Sequence, residues 1–97
     1  MKISGMIFDG PYDHTLPFNV DFECVYCIIN SNNYIVDVGE TESINGRMPS
    51  HERKSGWAIN GATNKSLYIL KEPSQKKRLD LEAKIRDFYK PVCGIRW

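Results

Sequence analysis

The sequence predicts a small α/β sandwich, with helices covering a sheet of about three antiparallel or mixed strands in the order β-β-α-β-α. Three observations predict it. Two β-branched, aromatic-rich runs, "FECVYCII" and "YIVDV", are separated only by the polar turn "NSNN". A third such run, "SLYIL", lies further along the chain. After it, "SQKKRLDLEAKIRDFYK" opens on a capping serine and carries apolar residues at helical spacing. Strands and helices that each bury one face against the other make two packed layers.

The 97 residues suffice for one domain with a single modest core. Residues 1–20 read as an irregular lead or an extra edge strand, and residues 21–97 as the core. Within the lead, residues 2–8 are the candidate edge strand, and "DGPYDHTLPFN" is irregular because of its prolines, glycine and turn formers. Strands at 22–29 and 34–38 then form an antiparallel hairpin. A symmetric turn at Asn30–Asn33 sets Ile29 opposite Tyr34 and Tyr26 opposite Asp37, about 5 Å apart at Cβ on one side of the sheet.

Thr41 or Ser43 can cap a short helix through Arg47. Pro49 removes a backbone donor and kinks that helix or restarts it. "KSGWAINGATNK" reads as a loop with one helical turn, and Ser66–Leu70 as the third strand. Ser74 caps the longest helix, which runs to about Tyr89 with Pro91 as its stop. At about 100° per residue, Leu81, Ile85 and Phe88 share its apolar stripe and Glu82 sits at the margin.

Composition excludes several classes. Hydrophobic residues make up 41% and charged residues 26%, which is globular rather than disordered. The longest apolar run, Cys24–Ile29, has six residues, against the ~20 that span a bilayer. With no secretory stretch at the start and three cysteines, the expectation is a cytoplasmic protein with reduced thiols. Cys24 and Cys27 have a zinc-like spacing, but on a strand they face opposite sides. There is no phosphate-binding glycine loop and no G-x-S-x-G. Charge is uneven: residues 1–44 hold one base and seven acids, net −6, and residues 45–97 hold twelve bases and five acids, net +7. That asymmetry fits an anionic partner, or two solvated surfaces that offset each other.

The chemistry-bearing residues have two readings each. Tyr26 beside Asp37 is a hydrogen-bonded pair or a site for moving a proton. Arg47 and His51, four apart, form a solvated helix face, or a phosphate-binding fork beside a group that exchanges protons near neutral pH. Glu82 is a surface carboxylate or an anchored, reachable ligand for a divalent cation. Trp57 and Tyr68 are packing residues or base-stacking platforms.

Taken in order, "CVY", "VDVGET", Arg47, His51, a third strand, and "LE" on a helix ending "YKP" resemble the GIY-YIG nuclease family, over about Cys24 to Cys93. The resemblance implies a metal-dependent endonuclease that hydrolyses DNA phosphodiesters with one Mg²⁺ or Mn²⁺. It implies that Tyr26 contacts the attacking water, Arg47 holds the scissile phosphate, Glu82 binds the metal, and His51 serves as base or relay. Gly39 matches the last glycine of the second motif. Cys24 stands where the first motif has glycine, Asp37 where the second has tyrosine, and Gly94 where an asparagine often follows the final proline. Asp37 is therefore expected to help hold the metal or base, or to mark a module that binds nucleic acid or protein without cutting. Grip on DNA would come from Arg53, Lys54, Lys76, Lys77, Arg78 and Lys84. Specificity would come from loops, a protein partner or a homodimer.

Overall fold

A computed structural model describes residues 1–94. The elements are β1 (Lys2–Ile3), β2 (Met6–Ile7), β3 (Asp9–Asp13), β4 (Cys24–Ile29), β5 (Ile35–Thr41), α1 (Ile44–Arg47), α2 (Lys54–Ile59), β6 (Lys65–Lys71) and α3 (Gln75–Tyr89). The main sheet has four strands in the order β3-β6-β4-β5, every neighbouring pair antiparallel. The expected β-β-α-β-α order therefore stands, with one more strand in the main sheet and one more helix, α2. That strand is not residues 2–8, which fold into a separate small hairpin, but Asp9–Asp13. Pro11 is tolerated there because β3 lies at the edge and its pairing with β6 is irregular.

All six residues of the central strand β4 are buried, which explains its unbroken apolar run. Cys24, Tyr26 and Ile28 face one core, built with Ile44, Met48, Trp57, Leu67 and Ile69 under α1 and α2. Val25, Cys27 and Ile29 face the other, built with Val38 and Ile85 under α3 and with Ile3 and Phe8 of the N-terminal segment. Cys24 and Cys27 thus lie on opposite faces.

The hairpin register differs from the symmetric expectation. Asn30 Oδ1 accepts from the backbone N–H groups of Asn32 and Tyr34, and Asn30 N donates to Tyr34 O, so the turn takes in Tyr34. Ile29 pairs with Ile35, Ile28 pairs with Asp37, and Val36 is an unpaired bulge residue. Tyr26 consequently lies opposite Gly39, not Asp37. The two-residue difference leaves Tyr26 and Asp37 on the same side of the sheet.

Ser43 caps α1 by accepting from Gly46 N at 2.9 Å, and Ser74 caps α3 by accepting from Lys77 N at 3.3 Å. The chain turns after Arg47, so His51 lies beyond the helix and not one turn along it. The "KSGWAI" stretch is a full helix, α2, that buries Trp57. On α3 the buried residues are Arg78, Ile85 and Arg86, whereas Phe88 is 76% exposed. The inward face is rotated away from the expected stripe because two arginines occupy it.

Arg86 and the C-terminal segment cover part of the open edge of β5, and Arg78 holds the Glu40 side chain of the same strand. Val38 N donates to Asp37 Oδ1, Val38 O accepts from Arg86 Nη2, and Val36 O accepts from Cys93 N. Arg78 Nε donates to Glu40 at 3.0 Å. Side chains and the C-terminal segment thus satisfy part of an edge that would otherwise offer itself to another strand.

Candidate active site

Gly39 decides where the site forms. Any Cβ at Gly39 would overlap the Tyr26 hydroxyl, so the phenol of β4 reaches across β5 only because residue 39 has no side chain. His51 Nε2 lies 2.8 Å from Tyr26 Oη. Arg53 N donates to His51 Nδ1 at 3.2 Å, which makes Nδ1 the acceptor and puts the ring proton on Nε2. His51 therefore donates to Tyr26. Arg47, at the end of α1, donates both Nη groups to Glu52, and its charge lies near enough to Tyr26 to favour the ionised phenol.

Burial dominates the titration of both partners. It pushes Tyr26 up to about 12 against the opposing pull of Arg47. It brings His51 down to about 4, with Arg47 and Arg53 adding to the shift. At neutral pH the resting pair is a neutral phenol and a neutral imidazole.

Glu82 lies on α3, which packs against the other face of the sheet from Tyr26. Arg78 is anchored at Glu40 and Arg86 at Val38, and Glu82 lies one turn from each. It is thereby held along the stretch of β5 that contains Gly39. Its carboxylate is 18% exposed and lies 3.7 Å from Arg86 Nη2.

Three crystal structures have the same architecture. They are point mutants of the GIY-YIG N-terminal endonuclease domain of UvrC from Thermotoga maritima, two with a tyrosine changed to phenylalanine and one with an asparagine changed to alanine, each bound to its catalytic divalent cation. Each matches with a TM-score of 0.63 over 77% of this chain and 84% of the other, at 18–19% identity. The chain has a GIY-YIG-like fold. No family model and no curated protein matches the sequence, so the likeness is one of fold.

Within this GIY-YIG-like frame Asp37 does not stand beside Tyr26 as a proton relay. It is fully buried: Oδ2 accepts from Arg53 Nε at 2.7 Å and Trp57 Nε1 at 2.8 Å, and Oδ1 accepts from Val38 N at 2.8 Å. Arg86 lies 3.6 Å from Oδ1. With both oxygens engaged by donors, Asp37 braces the site from beneath. Trp57 is part of that brace and not a base-stacking surface; its ring packs 4.5 Å from His51. Tyr68 packs against the core under α3.

A one-carboxylate cation site fits Glu82, which is anchored yet reachable, since Mg²⁺ keeps water and phosphate oxygens in most positions. Among the described residues no cluster of three or more acidic, histidine or cysteine side chains could cage an ion.

The basic residues separate. Arg78 is buried, donating to Glu40 and to the carbonyls of Glu72 and Pro73, and so is not available to DNA. Arg53 is tied to Asp37 and Glu52. Lys76 pairs with Asp80 on the surface of α3. Lys77 and Lys84 line a groove with Met6, Leu70 and Leu81, across the sheet from Tyr26. Lys54 opens α2, one residue beyond Arg53. Sequence reading passed over Glu52 altogether: it takes Arg47 through a five-residue spacing that no helix pattern flags.

Proposed function

We propose that this protein is a divalent-metal-dependent endonuclease that hydrolyses DNA phosphodiesters with one metal ion. The observation that carries this reading is the Tyr26 hydroxyl, laid over Gly39 and 2.8 Å from His51 Nε2, in a GIY-YIG-like fold.

Arg47 binds a non-bridging oxygen of the scissile phosphate and offsets the charge that grows as the phosphorus becomes five-coordinate. Tyr26 orients the attacking water and acts as its base in the phenolate form: the phenol first gives its proton to solvent, and the phenolate then takes the water's proton and returns to the neutral phenol. The negative charge on Oη before that transfer is stabilised by the His51 Nε2–H and by the nearby Arg47 charge. His51 holds the phenol and excludes water behind it. Asp37 acts at one remove by fixing Arg53, whose N–H sets the His51 tautomer, and Trp57, which packs the ring. Glu82 would hold Mg²⁺ or Mn²⁺, and the bound ion would polarise the phosphate and stabilise the leaving oxygen. Lys54 would contact flanking phosphates, a salt-sensitive contribution. The setting is the cytoplasm, where three unpaired buried thiols stay reduced.

Supercoiled plasmid with Mg²⁺ or Mn²⁺ tests this. Nicking should be lost in Glu82→Ala and in Arg47→Ala while circular dichroism shows both folded. Intact plasmid with every divalent ion, or undiminished nicking by Glu82→Ala, overturns it. A second reading, a module that binds nucleic acid without cutting, is favoured by the carboxylate already on Arg47. Salt-sensitive DNA binding with no cleavage selects it.

A further inference from the structure

Glu52 occupies the group that the proposed reaction most needs. Arg47 meets its carboxylate fork to fork, Nη1 donating to Oε2 at 2.8 Å and Nη2 to Oε1 at 3.1 Å. Arg53 Nη1 donates to Oε1 at 3.2 Å, and His51 Nδ1 lies 3.9 Å from Oε2. Two guanidiniums around one pair of anionic oxygens is the environment that binds a phosphate. The three side chains differ in freedom. Glu52 is 62% exposed, against 29% for Arg47 and 24% for Arg53. Arg53 is further fixed by its bond to buried Asp37. The acid can swing into solvent while the guanidiniums stay.

We propose that Glu52 is an internal competitor for the phosphodiester, keeping the Arg47 fork closed until a nucleic-acid phosphate displaces it. The proposal rests on the assignment of Arg47 to the phosphate. A phosphodiester spreads one negative charge over two non-bridging oxygens, as a carboxylate does, so the exchange leaves both Arg47 bonds made. The displaced carboxylate stays tethered nearby at high effective concentration. A lone anion competes poorly against it. A strand whose neighbouring phosphates also reach Lys54 competes well, so the latch favours polymers over free phosphate. The bonds from Arg47 hold Glu52 ionised down to about pH 2, so acidification in the physiological range does not open it.

The test is the affinity for a short labelled DNA duplex at low salt in EDTA, by fluorescence anisotropy. Glu52→Gln should bind about five-fold more tightly than wild type, the scale of one exposed ion pair removed from competition. Glu23→Gln, an exposed acid elsewhere, measures the gain from lost charge alone and should give much less. Glu52→Ala should repeat the gain, and the gain should vanish in an Arg47→Ala background. Equal gains for Glu52→Gln and Glu23→Gln, a gain that survives without Arg47, or no binding by Glu52→Gln each overturn the latch. If Glu52 only braces the turn before α2, its variants melt earlier and bind no better, which also overturns it. A gain in a protein that never cuts removes the nuclease and keeps the latch. Glu82-dependent cutting with no gain does the reverse.

Discussion

The Tyr26 hydroxyl lies directly over Gly39, with no room for a methyl group between them. Gly39→Ala must therefore push the phenol away from His51 or bend β5. We expect a loss of about 1–3 kcal/mol in stability, the usual range for overpacking, together with loss of nicking. Urea unfolding and plasmid cleavage measure the two effects. An alanine variant with wild-type activity would mean that Tyr26 works from another position.

Asp37 stands where the GIY-YIG pattern has tyrosine, yet restoring tyrosine should not improve the protein. Asp37→Tyr leaves Arg53, Trp57 Nε1 and Val38 N without their common acceptor and adds bulk to a filled space. Removing one partner of a buried ion pair costs about 3–5 kcal/mol. Asp37→Asn should also destabilise, because its amide would set an N–H against one of these donors. Chemical denaturation measures both variants. A stable, more active Asp37→Tyr protein would show that Asp37 is a lesion and not a brace.

The site was partly legible because parity survives errors of two. Sequence reading placed Tyr26 opposite Asp37. The turn that takes in Tyr34 and the bulge at Val36 moved its partner to Gly39, yet all three stay on one side of the sheet. Ser43 and Ser74 were legible as caps because a short side-chain oxygen before a helix has one dominant use. The bulge was not, since nothing in "YIVDV" distinguishes the residue that loses its partner. Strand β3 was hidden by Pro11, whose cost vanishes at an edge. The brace around Asp37 joins residues 16 and 20 positions apart in the chain, a spacing that carries no local signal.

Helix α3 shows the same limit, in a form that can be measured. Hydrophobicity alone groups Ile85 with Phe88, but Ile85 is buried and Phe88 is 76% exposed beside Tyr89. Ile85→Ala should cost about 2–4 kcal/mol. Phe88→Ala should stay within about 0.5 kcal/mol. Paired denaturation curves compare them directly. Equal losses would place Phe88 in the core and restore the expected stripe.

His51 gives the fold a pH dependence of definite sign. Burial and the neighbouring arginines hold its pKa at about 4 in the folded chain, below the ordinary 6.5. Between those values the unfolded chain takes up a proton that the folded one refuses. The stabilisation is therefore complete above about pH 6.5, falls as the pH drops toward 4, and is gone below it. Burial shifts His14 in the same direction, so it adds to the slope. The lowered carboxylates Asp13, Asp21 and Glu52 act below their ordinary range near 4, so the histidines dominate between pH 6.5 and 5. Melting temperature should fall across that interval in the wild type. It should fall less steeply in His51→Gln, where His14 alone titrates. A wild-type melting temperature that holds level or rises between pH 6.5 and 5 would mean that the imidazole protonates freely in the folded protein, and that the hydrogen bond from Arg53 N to His51 Nδ1 is not made as described.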